Sequence, residues 1–423
     1  MALKVRTCVT SLAGVLLVLL LSALPSRSNQ PGAVTAEAKQ AAAIKPFKAH
    51  VPDDVLEDLR RRVEQAKWPD QLPDTGWEYG ADIRKVRELA DYWRTRYDWR
   101  AFEARLNRFD QFTTEVDGQQ VHFIHQRSPR PDAIPLLLIH GWPGSIVEFL
   151  ALVEPLTNPK DPTSPAFHVV IPSLPGVAFS GPTHSRGWNP RRMAKALVTL
   201  MDRLGYSKYG VQGGDWGSTI ARFMPDLAPG RVIGLHLNLI VVPPPNPAAL
   251  SQLSADERRR YRHWWDEGRS SFFSLQSREP QTVAYALTDS PVGWLAWMTM
   301  KFQDFIDHDG DFLHAIDKDT FLDNVTLYWV TGTVGSSLRI YRENQLAGDS
   351  EPARYTTPVA FADFPKEVAA APYRWITERY NVVQRTEMPR GGHFAALEQP
   401  DLFLRDVRMF FAKVNPKGNG SLH

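Results

Sequence analysis

Residues 213–218 are Gly-Gly-Asp-Trp-Gly-Ser, and they stand between an apolar run at 209–212 and a helix-like stretch at 218–223. This pattern predicts a strand that turns sharply into a helix, with glycines where the backbones come too close for a Cβ atom. Such a turn usually presents a serine nucleophile, but here the central residue is Asp215. A carboxylate that attacks an electrophilic carbon leaves an ester, which water must then hydrolyse. The turn therefore predicts alkyl transfer.

The segments around this turn alternate between strand and helix patterns. Continuous apolar runs of the kind found in buried parallel strands lie at 135–139, 167–172, 209–212 and 232–237. Further strands are expected at 359–361 and 381–385, and helices at 146–156, 193–204, 371–380 and 401–414. This alternation predicts a doubly wound α/β sheet with right-handed crossovers.

Two regions depart from the alternating pattern. The N-terminal region predicts helices at 51–66, 81–97 and 99–106, followed by a hairpin with strands at 112–116 and 121–125. Helical patterns rich in aromatic residues at 241–345 predict an insertion that covers the sheet. We therefore divide the chain into a linker at 29–45, an N-terminal region at 46–134, a first core half at 135–240, a lid at 241–345, a second core half at 346–415 and a tail at 416–423.

Composition excludes some classes of partner. The 49 basic and 47 acidic residues give a formal net charge of +2, so a nucleic-acid partner is not expected. The 423 residues, 43% of them hydrophobic, are enough for a large core. Thirteen tryptophans predict aromatic-lined cavities. The sequence leaves the oligomeric state open.

The N-terminus has the pattern of a targeting segment. Lys4 and Arg6 precede an apolar run at 12–24, which Pro25 ends. The run is short for a membrane span, which needs about 20 apolar residues, so residues 1–28 predict an exported protein with a cleaved signal peptide. The alternative is an uncleaved membrane anchor, and membrane contact is expected only through this segment. The single cysteine, Cys8, lies inside it, so the mature chain is expected to form no disulfide and to use no thiol chemistry.

A histidine is available to activate water. His393 follows two glycines in a loop beyond the last strand pattern, and open α/β sheets place their sites beyond the carboxyl ends of their strands. The chain order nucleophile, acid, histidine is typical of this kind of turn. Glu367 and Asp363 both follow the strand pattern at 359–361, and the residues alone favour neither as the orienting acid.

Two further features complete the set. Residues 140–145, His-Gly-Trp-Pro-Gly-Ser, follow a strand pattern. The backbone N–H groups of Trp142 in this stretch and of Trp216 are expected to form an oxyanion hole for the charge that develops on Asp215. Tyr341, near the end of the insertion, is a candidate proton donor for the leaving oxygen.

Together these motifs resemble the microsomal-type epoxide hydrolases of the α/β-hydrolase superfamily, from Phe47 to Ala412. The matching segments are 69–70, 77–80, 140–145, 213–218, 289–293, 327–329, 331–333 and 391–396. The resemblance implies an α/β-hydrolase fold with a mostly parallel sheet, a helical lid insertion and an N-terminal helical/β extension that is the family's N-terminal domain.

The same resemblance implies the chemistry. Asp215 would be the nucleophile, His393 the base, Tyr341 the ring-opening proton donor and Glu367 the charge-relay acid, since Phe-Pro-x-Glu at 364–367 matches the family's acid motif. The reaction would be trans-addition of water to an oxirane, giving a vicinal diol with no metal or organic cofactor. The partners would be a small apolar epoxide and water, in detoxification or aromatic-hydrocarbon catabolism.

One position departs from the family pattern. The family supplies two lid tyrosines, and the first falls at Phe272 here, with Tyr261 and Tyr285 as alternatives if the placement slips. A single phenol is expected to slow ring opening or to narrow the substrate range.

Two other functions fit part of the pattern. Haloalkane dehalogenases also use an aspartate followed by a tryptophan at this turn, and Trp216 fits both chemistries; Tyr341 and the N-terminal region favour the epoxide reaction. A non-catalytic carrier of lipophiles on the same fold would not need the set of Asp215, Glu367 and His393. The sequence does not choose among styrene-like, terpene and fatty-acid epoxides.

Overall fold

A computed structural model describes residues 42–265, 271–348 and 354–415. In these ranges nine strands form one sheet in the order β1-β2-β3-β5-β4-β6-β7-β8-β9. The strands are β1 Lys45–Phe47, β2 Gln111–Val116, β3 Gln119–Gln126, β4 Ile134–Ile139, β5 Phe167–Pro172, β6 Tyr209–Gly213, β7 Val232–Leu237, β8 Tyr355–Asp363 and β9 Tyr380–Glu387.

The sheet is parallel from β5 through β4, β6, β7 and β8 to β9. The predicted hairpin, β2 and β3, extends this sheet, because β3 pairs antiparallel with β5. The central strand β4 is buried on both faces, with residues 136–139 all 0% exposed. This explains its unbroken apolar sequence and confirms the mostly parallel sheet.

Helices cover both the sheet and its carboxyl edge. Before the insertion they are α1 Asp53–Glu64, α2 Ile83–Thr95, α3 Trp99–Leu106, α4 Val153–Thr157, α5 Pro190–Arg203, α6 Asp215–Ala221 and α7 Met224–Leu227. The insertion contributes α8 Ala255–Trp265, α9 Ser271–Arg278, α10 Pro280–Asp289, α11 Pro291–Phe305, α12 Lys318–Val330, α13 Val334–Ser337 and α14 Arg339–Ala347. The chain closes with α15 Tyr373–Arg379, α16 Ala395–Glu398 and α17 Pro400–Val414.

Two expectations differ from the structure. The helix expected at 146–156 begins as a 3₁₀ segment, Ile146–Leu152, before α4. The N–H of Glu148 bonds the carbonyl of Ser145, three residues back, at 3.1 Å, which is the tighter 3₁₀ pairing. The linker expected at 29–45 ends within β1, because Lys45 pairs with Thr113. The rest of that linker up to residue 41, the targeting segment and the tail lie outside the described residues.

The sharp turn after β6 explains its glycines. A Cβ atom at Gly217 would lie 2.0 Å from the carbonyl oxygen of Ile139 in β4, so only glycine lets α6 start this close to the sheet. Asp215 opens the helix with φ +48°, a left-handed backbone that non-glycine residues rarely adopt. The strain presents its side chain at the carboxyl edge of the sheet.

The N-terminal helices brace the insertion. The indole N–H of Trp93 in α2 donates to Thr326 Oγ1 at 2.8 Å, and the hydroxyl of Tyr97 donates to Asp323 Oδ1 at 2.8 Å. Both acceptors lie in α12, so the N-terminal region fixes a lid helix rather than standing apart. Within the described ranges, no helix combines the length and the hydropathy that crossing a membrane requires.

Candidate active site

The carboxylate of Asp215 lies where the oxyanion loop, residues 140–145, meets the start of α6. The backbone N–H of Trp142 donates to Asp215 Oδ1 at 2.7 Å, and the N–H of Trp216 also bonds this carboxylate. Burial raises the pKa of Asp215, against the opposing influence of the His393 charge and these two N–H groups. The two donors predicted for the oxyanion hole therefore face the predicted nucleophile.

His393 lies between two carboxylates. Its Nδ1 is 2.6 Å from Glu367 Oε1, and its Nε2 is 3.6 Å from Asp215 Oδ2. Burial lowers the pKa of His393, but the charges of Glu367, Asp215 and Glu148 and the hydrogen bond to Glu367 together outweigh burial and raise the pKa to about 9. The N–H of Val368 donates to the same Glu367 oxygen at 2.7 Å and fixes its position. This is the geometry of a base oriented by an acid.

The other candidate acid, Asp363, is engaged elsewhere. Its two carboxylate oxygens accept from Arg260 at 2.9 Å and from Arg385 at 2.7 Å. The structure therefore places Glu367, and not Asp363, against the histidine.

The loop that carries His393 is held by a residue that the sequence analysis missed. Glu398, at the end of α16, accepts from the backbone N–H groups of Asp307, Gly392 and Phe394, each at 2.8 Å. Burial raises the pKa of Glu398 to about 7, although these three N–H groups act to lower it. The sequence does contain a signal for this residue, because Glu398 is a lone acidic residue in the largely apolar stretch after His393.

A lid helix fixes the oxyanion loop. In α12, Asn324 donates to the carbonyl of Pro143 at 2.8 Å and accepts from the Ser145 hydroxyl at 2.6 Å. Tyr328 of the same helix donates to the carbonyl of Gly144. The sequence pattern identified 327–329 as a family segment but gave it no role. In the fold, Tyr328 of this segment helps to hold the loop that carries the N–H group of Trp142.

Tyr341 lies among aromatic rings, against the two tryptophans whose backbone N–H groups bond Asp215. Its ring meets those of Trp142 and Trp216 edge-on, at centroid distances of 5.5 and 4.9 Å. The side chain is 2% exposed. Burial, and then the nearby charge of Asp215, raise the pKa of Tyr341 well above its ordinary value. Its phenol therefore keeps its proton near neutral pH.

Comparisons with known proteins identify the family of this chain. Residues 44–149 match the family model described as epoxide hydrolase N terminus, and residues 134–284 match the alpha/beta hydrolase fold. The chain is 44% identical to a protein of Stigmatella aurantiaca assigned as an epoxide hydrolase, over 88% of this chain and 86% of the relative. It is 35% identical to epoxide hydrolase 1 of Sus scrofa, over 90% of this chain and 91% of the relative.

The chain belongs to the epoxide hydrolase family. A solved structure, the Aspergillus niger epoxide hydrolase, matches with a TM-score of 0.79 and 33% identity, covering 88% of this chain and 97% of the other. Within the described ranges, no group of three or more histidine, cysteine, aspartate or glutamate side chains is placed to hold a metal ion.

This epoxide hydrolase has Phe272 facing Tyr341 across the aromatic cluster. The Phe272 ring stacks on Trp142 at 5.6 Å and lies 6.0 Å from Tyr341. Of the two alternatives, Tyr285 is 73% exposed and Tyr261 packs on the ring of Trp375. Phe272 is therefore the lid residue that lies beside Tyr341.

Proposed function

We propose that this epoxide hydrolase converts an apolar oxirane to a vicinal diol through an ester on Asp215. The observation that carries the proposal is the line of three groups, with Glu367 2.6 Å from His393 and His393 3.6 Å from Asp215. Tyr341 lies against the two tryptophans that hold the nucleophile. The arrangement supplies an attacking carboxylate, a base for water and an acid for the leaving oxygen.

The first step forms the ester. An oxygen of Asp215 attacks one oxirane carbon while the bond from that carbon to the epoxide oxygen breaks. The epoxide oxygen takes the phenol proton of Tyr341 and becomes a hydroxyl group. At this stage His393 is still protonated, because the pKa of its imidazole is about 9.

Ester formation prepares the base. Alkylation removes the negative charge of Asp215, which is one of the charges that raise the pKa of His393. The pKa of the imidazole falls, and the proton that it releases replaces the one that Tyr341 gave to the substrate. The neutral imidazole can then accept a proton from water.

The second step hydrolyses the ester. Water gives a proton to Nε2 of His393 and adds to the carboxyl carbon of Asp215, and the N–H groups of Trp142 and Trp216 hold the oxyanion. The bond between this carbon and the diol oxygen then breaks, and the departing oxygen takes the proton from His393. The second proton of the water, now on the carboxyl group of Asp215, passes to His393 and restores the starting charges. One of the original carboxylate oxygens leaves in the diol.

Tyr341 favours this reaction over dehalogenation. A halide ion leaves without needing a proton, whereas the alkoxide formed from an epoxide must receive a proton from an acid. Tyr341 keeps its phenol proton near neutral pH and can therefore act as this acid. A non-catalytic carrier of lipophiles would not need a base such as His393 held beside an acid such as Glu367.

The substrate class is proposed from the walls of the site. Trp142, Trp216, Phe272 and Phe273 surround Tyr341, with Phe273 stacked on Trp216 at 6.1 Å. Flat aromatic walls favour flat apolar groups. We therefore rank styrene-like epoxides before terpene and fatty-acid epoxides, which is compatible with a role in detoxification or aromatic-hydrocarbon catabolism.

A single turnover in ¹⁸O-labelled water tests the ester route. With enzyme in excess over styrene oxide, the diol should carry an unlabelled oxygen from Asp215, and the label should appear in the peptide that contains this residue. Direct attack of water on the epoxide would instead put the label in the diol during the first turnover.

We also propose export by a cleaved signal peptide. The support is the charged start, the short apolar run at 12–24 and the small residues Ser26 and Ser28, at the two positions that a signal peptidase reads. Mass spectrometry of the N-terminus after expression in a secreting host tests this proposal: an intact Met1 would favour the membrane anchor.

A further inference from the structure

A small cavity lies beside the nucleophile, lined on its polar side by Glu148, Gln212, Asp215, Asn238 and His393. Its volume is about 10 Å³, close to the minimum that one water molecule needs. The separation of 3.6 Å between His393 Nε2 and Asp215 Oδ2 is too long for a direct hydrogen bond. A water molecule in this cavity would therefore be able to contact both the base and the ester.

The cavity also has polar atoms to hold such a molecule. Gln212 is 1% exposed and donates through Nε2 to Asn238 Oδ1 at 3.0 Å. Its other amide atom, Oε1, has no hydrogen-bond partner among the described residues. A buried acceptor without a partner is costly, and a bound water molecule would remove that cost.

Glu148 is an acidic side chain among apolar neighbours. It belongs to the 3₁₀ segment Ile146–Leu152, in which Ile146, Val147 and Phe149 are buried. A Cβ atom at Gly144 would lie 1.6 Å from Glu148 Oε1, so the absence of a side chain at Gly144 gives the carboxyl group its place. The ester route above assigns this acid no part.

The electrostatics of Glu148 connect it with the reacting groups. Desolvation raises the pKa of Glu148 to about 8; the charge on His393 opposes this, and the charge on Asp215 adds to it. The carboxyl group is therefore mostly protonated near neutral pH, and in that form it both donates and accepts hydrogen bonds.

We propose that Glu148 is a positioning residue that holds the hydrolytic water in this cavity, beside His393 and the carboxyl carbon of Asp215. The proposal rests on the ester route. Glu148 accepts one hydrogen of the water and His393 Nε2 takes the other, which directs a lone pair of the water oxygen at the ester. The O–H bond to His393 breaks as the new C–O bond forms.

The test separates hydrolysis from ester formation by rapid quenching and intact-protein mass, with styrene oxide as the probe. In Glu148→Leu, hydrolysis should slow by about 10-fold to 100-fold, because a misplaced reactant costs rate steeply. The ester on Asp215 should then accumulate in the steady state. Glu154→Leu is the matched control, since Glu154 is exposed on α4, and it should accumulate none.

Glu148→Gln distinguishes positioning from packing. The amide of the glutamine also donates and accepts hydrogen bonds, so the rate of ester hydrolysis at pH 7 should stay within about threefold of the wild-type rate. An amide does not ionise, so the change in hydrolysis rate expected near pH 8 in wild type, where Glu148 ionises, should be absent from the pH profile of Glu148→Gln. If Glu148→Leu does not fold, this pH profile alone decides. Hydrolysis at the wild-type rate in folded Glu148→Leu, or an unchanged step near pH 8 in Glu148→Gln, would overturn the proposal. Absence of any ester, even in His393→Gln, would instead refute the ester route itself.

Discussion

The substitution Glu367→Gln separates the two chemical steps. The N–H of Val368 bonds the same carboxylate oxygen that faces His393, so an amide oxygen should occupy that position. The hydrogen bond to Nδ1 is then kept while the charge is lost. Ester formation does not require His393 to gain a proton, whereas hydrolysis does. We therefore expect hydrolysis to suffer selectively.

The magnitude follows from the pKa of His393. The whole shift of this pKa, from its ordinary value near 6.5 to about 9, corresponds to about 3 kcal/mol, and Glu367 is the first of the groups that raise it. The imidazolium forms in the transition state of hydrolysis, so a loss of this size slows that step by up to about 100-fold. Ester formation should change by less than about tenfold, because Asp215 and Tyr341 are untouched.

The assay follows epoxide consumption and diol release in separate quenched samples. Glu367→Gln should consume one equivalent of epoxide rapidly and then release diol slowly. The matched control is Asp363→Asn, which removes the other candidate acid and its ion pairs with Arg260 and Arg385. It should release diol without such a lag. Equal slowing of both steps in Glu367→Gln, or the same lag in Asp363→Asn, would refute the assignment of Glu367 as the orienting acid.

Three further predictions follow from the structure. Phe272→Tyr should place a second phenol beside position 341. In the Tyr341→Phe background it should therefore raise the ring-opening rate by at least about tenfold, measured as single-turnover epoxide consumption, and an equal rate in Tyr341→Phe with and without Phe272→Tyr would contradict this prediction. The pKa of His393 is higher in the folded chain than in the unfolded chain, so its contribution to stability is complete below about pH 6.5 and is lost as the pH rises through 9. Between pH 6.5 and pH 9, the free energy of unfolding, measured with denaturant, should therefore fall in wild type by up to about 3 kcal/mol more than it falls in His393→Gln. If the free energy of unfolding depends on pH equally in both proteins, the raised pKa of His393 is refuted. Gly217→Ala should lower the free energy of unfolding by at least about 1–3 kcal/mol, because its methyl group meets the carbonyl of Ile139; an unchanged melting temperature would be inconsistent with this packing.

The sequence predicted the features that depend on local pattern. The turn at 213–218 and the buried run before His140 are patterns of consecutive residues, so the parallel sheet and the position of Asp215 at the turn could be predicted from them. The histidine and its acid needed the family's motifs as well, since Glu367 and Asp363 lie four residues apart. The motif at 364–367 favours Glu367, and the structure separates the two by the contact of Glu367 with His393 and by the pairing of Asp363 with Arg260 and Arg385.

Residues that act through distant contacts could not be predicted. Asn324 holds a loop about 180 positions earlier in the chain, and Glu398 bonds the backbone of Asp307, 91 positions away. Such pairings depend on how helices pack, and no local spacing encodes them. Glu148 is intermediate, because its acidic side chain inside an apolar segment is visible in the sequence, whereas its approach to the nucleophile is not.

The most direct test of the ester route is the intact mass of His393→Gln after mixing with styrene oxide. The variant lacks the base but keeps Asp215 and Tyr341, so ester should form and persist. We predict a mass increase of one whole epoxide per chain, located on Asp215 by peptide mapping and absent in the double variant with Asp215→Asn. An unmodified Asp215, in a folded variant that still consumes epoxide, would contradict the account.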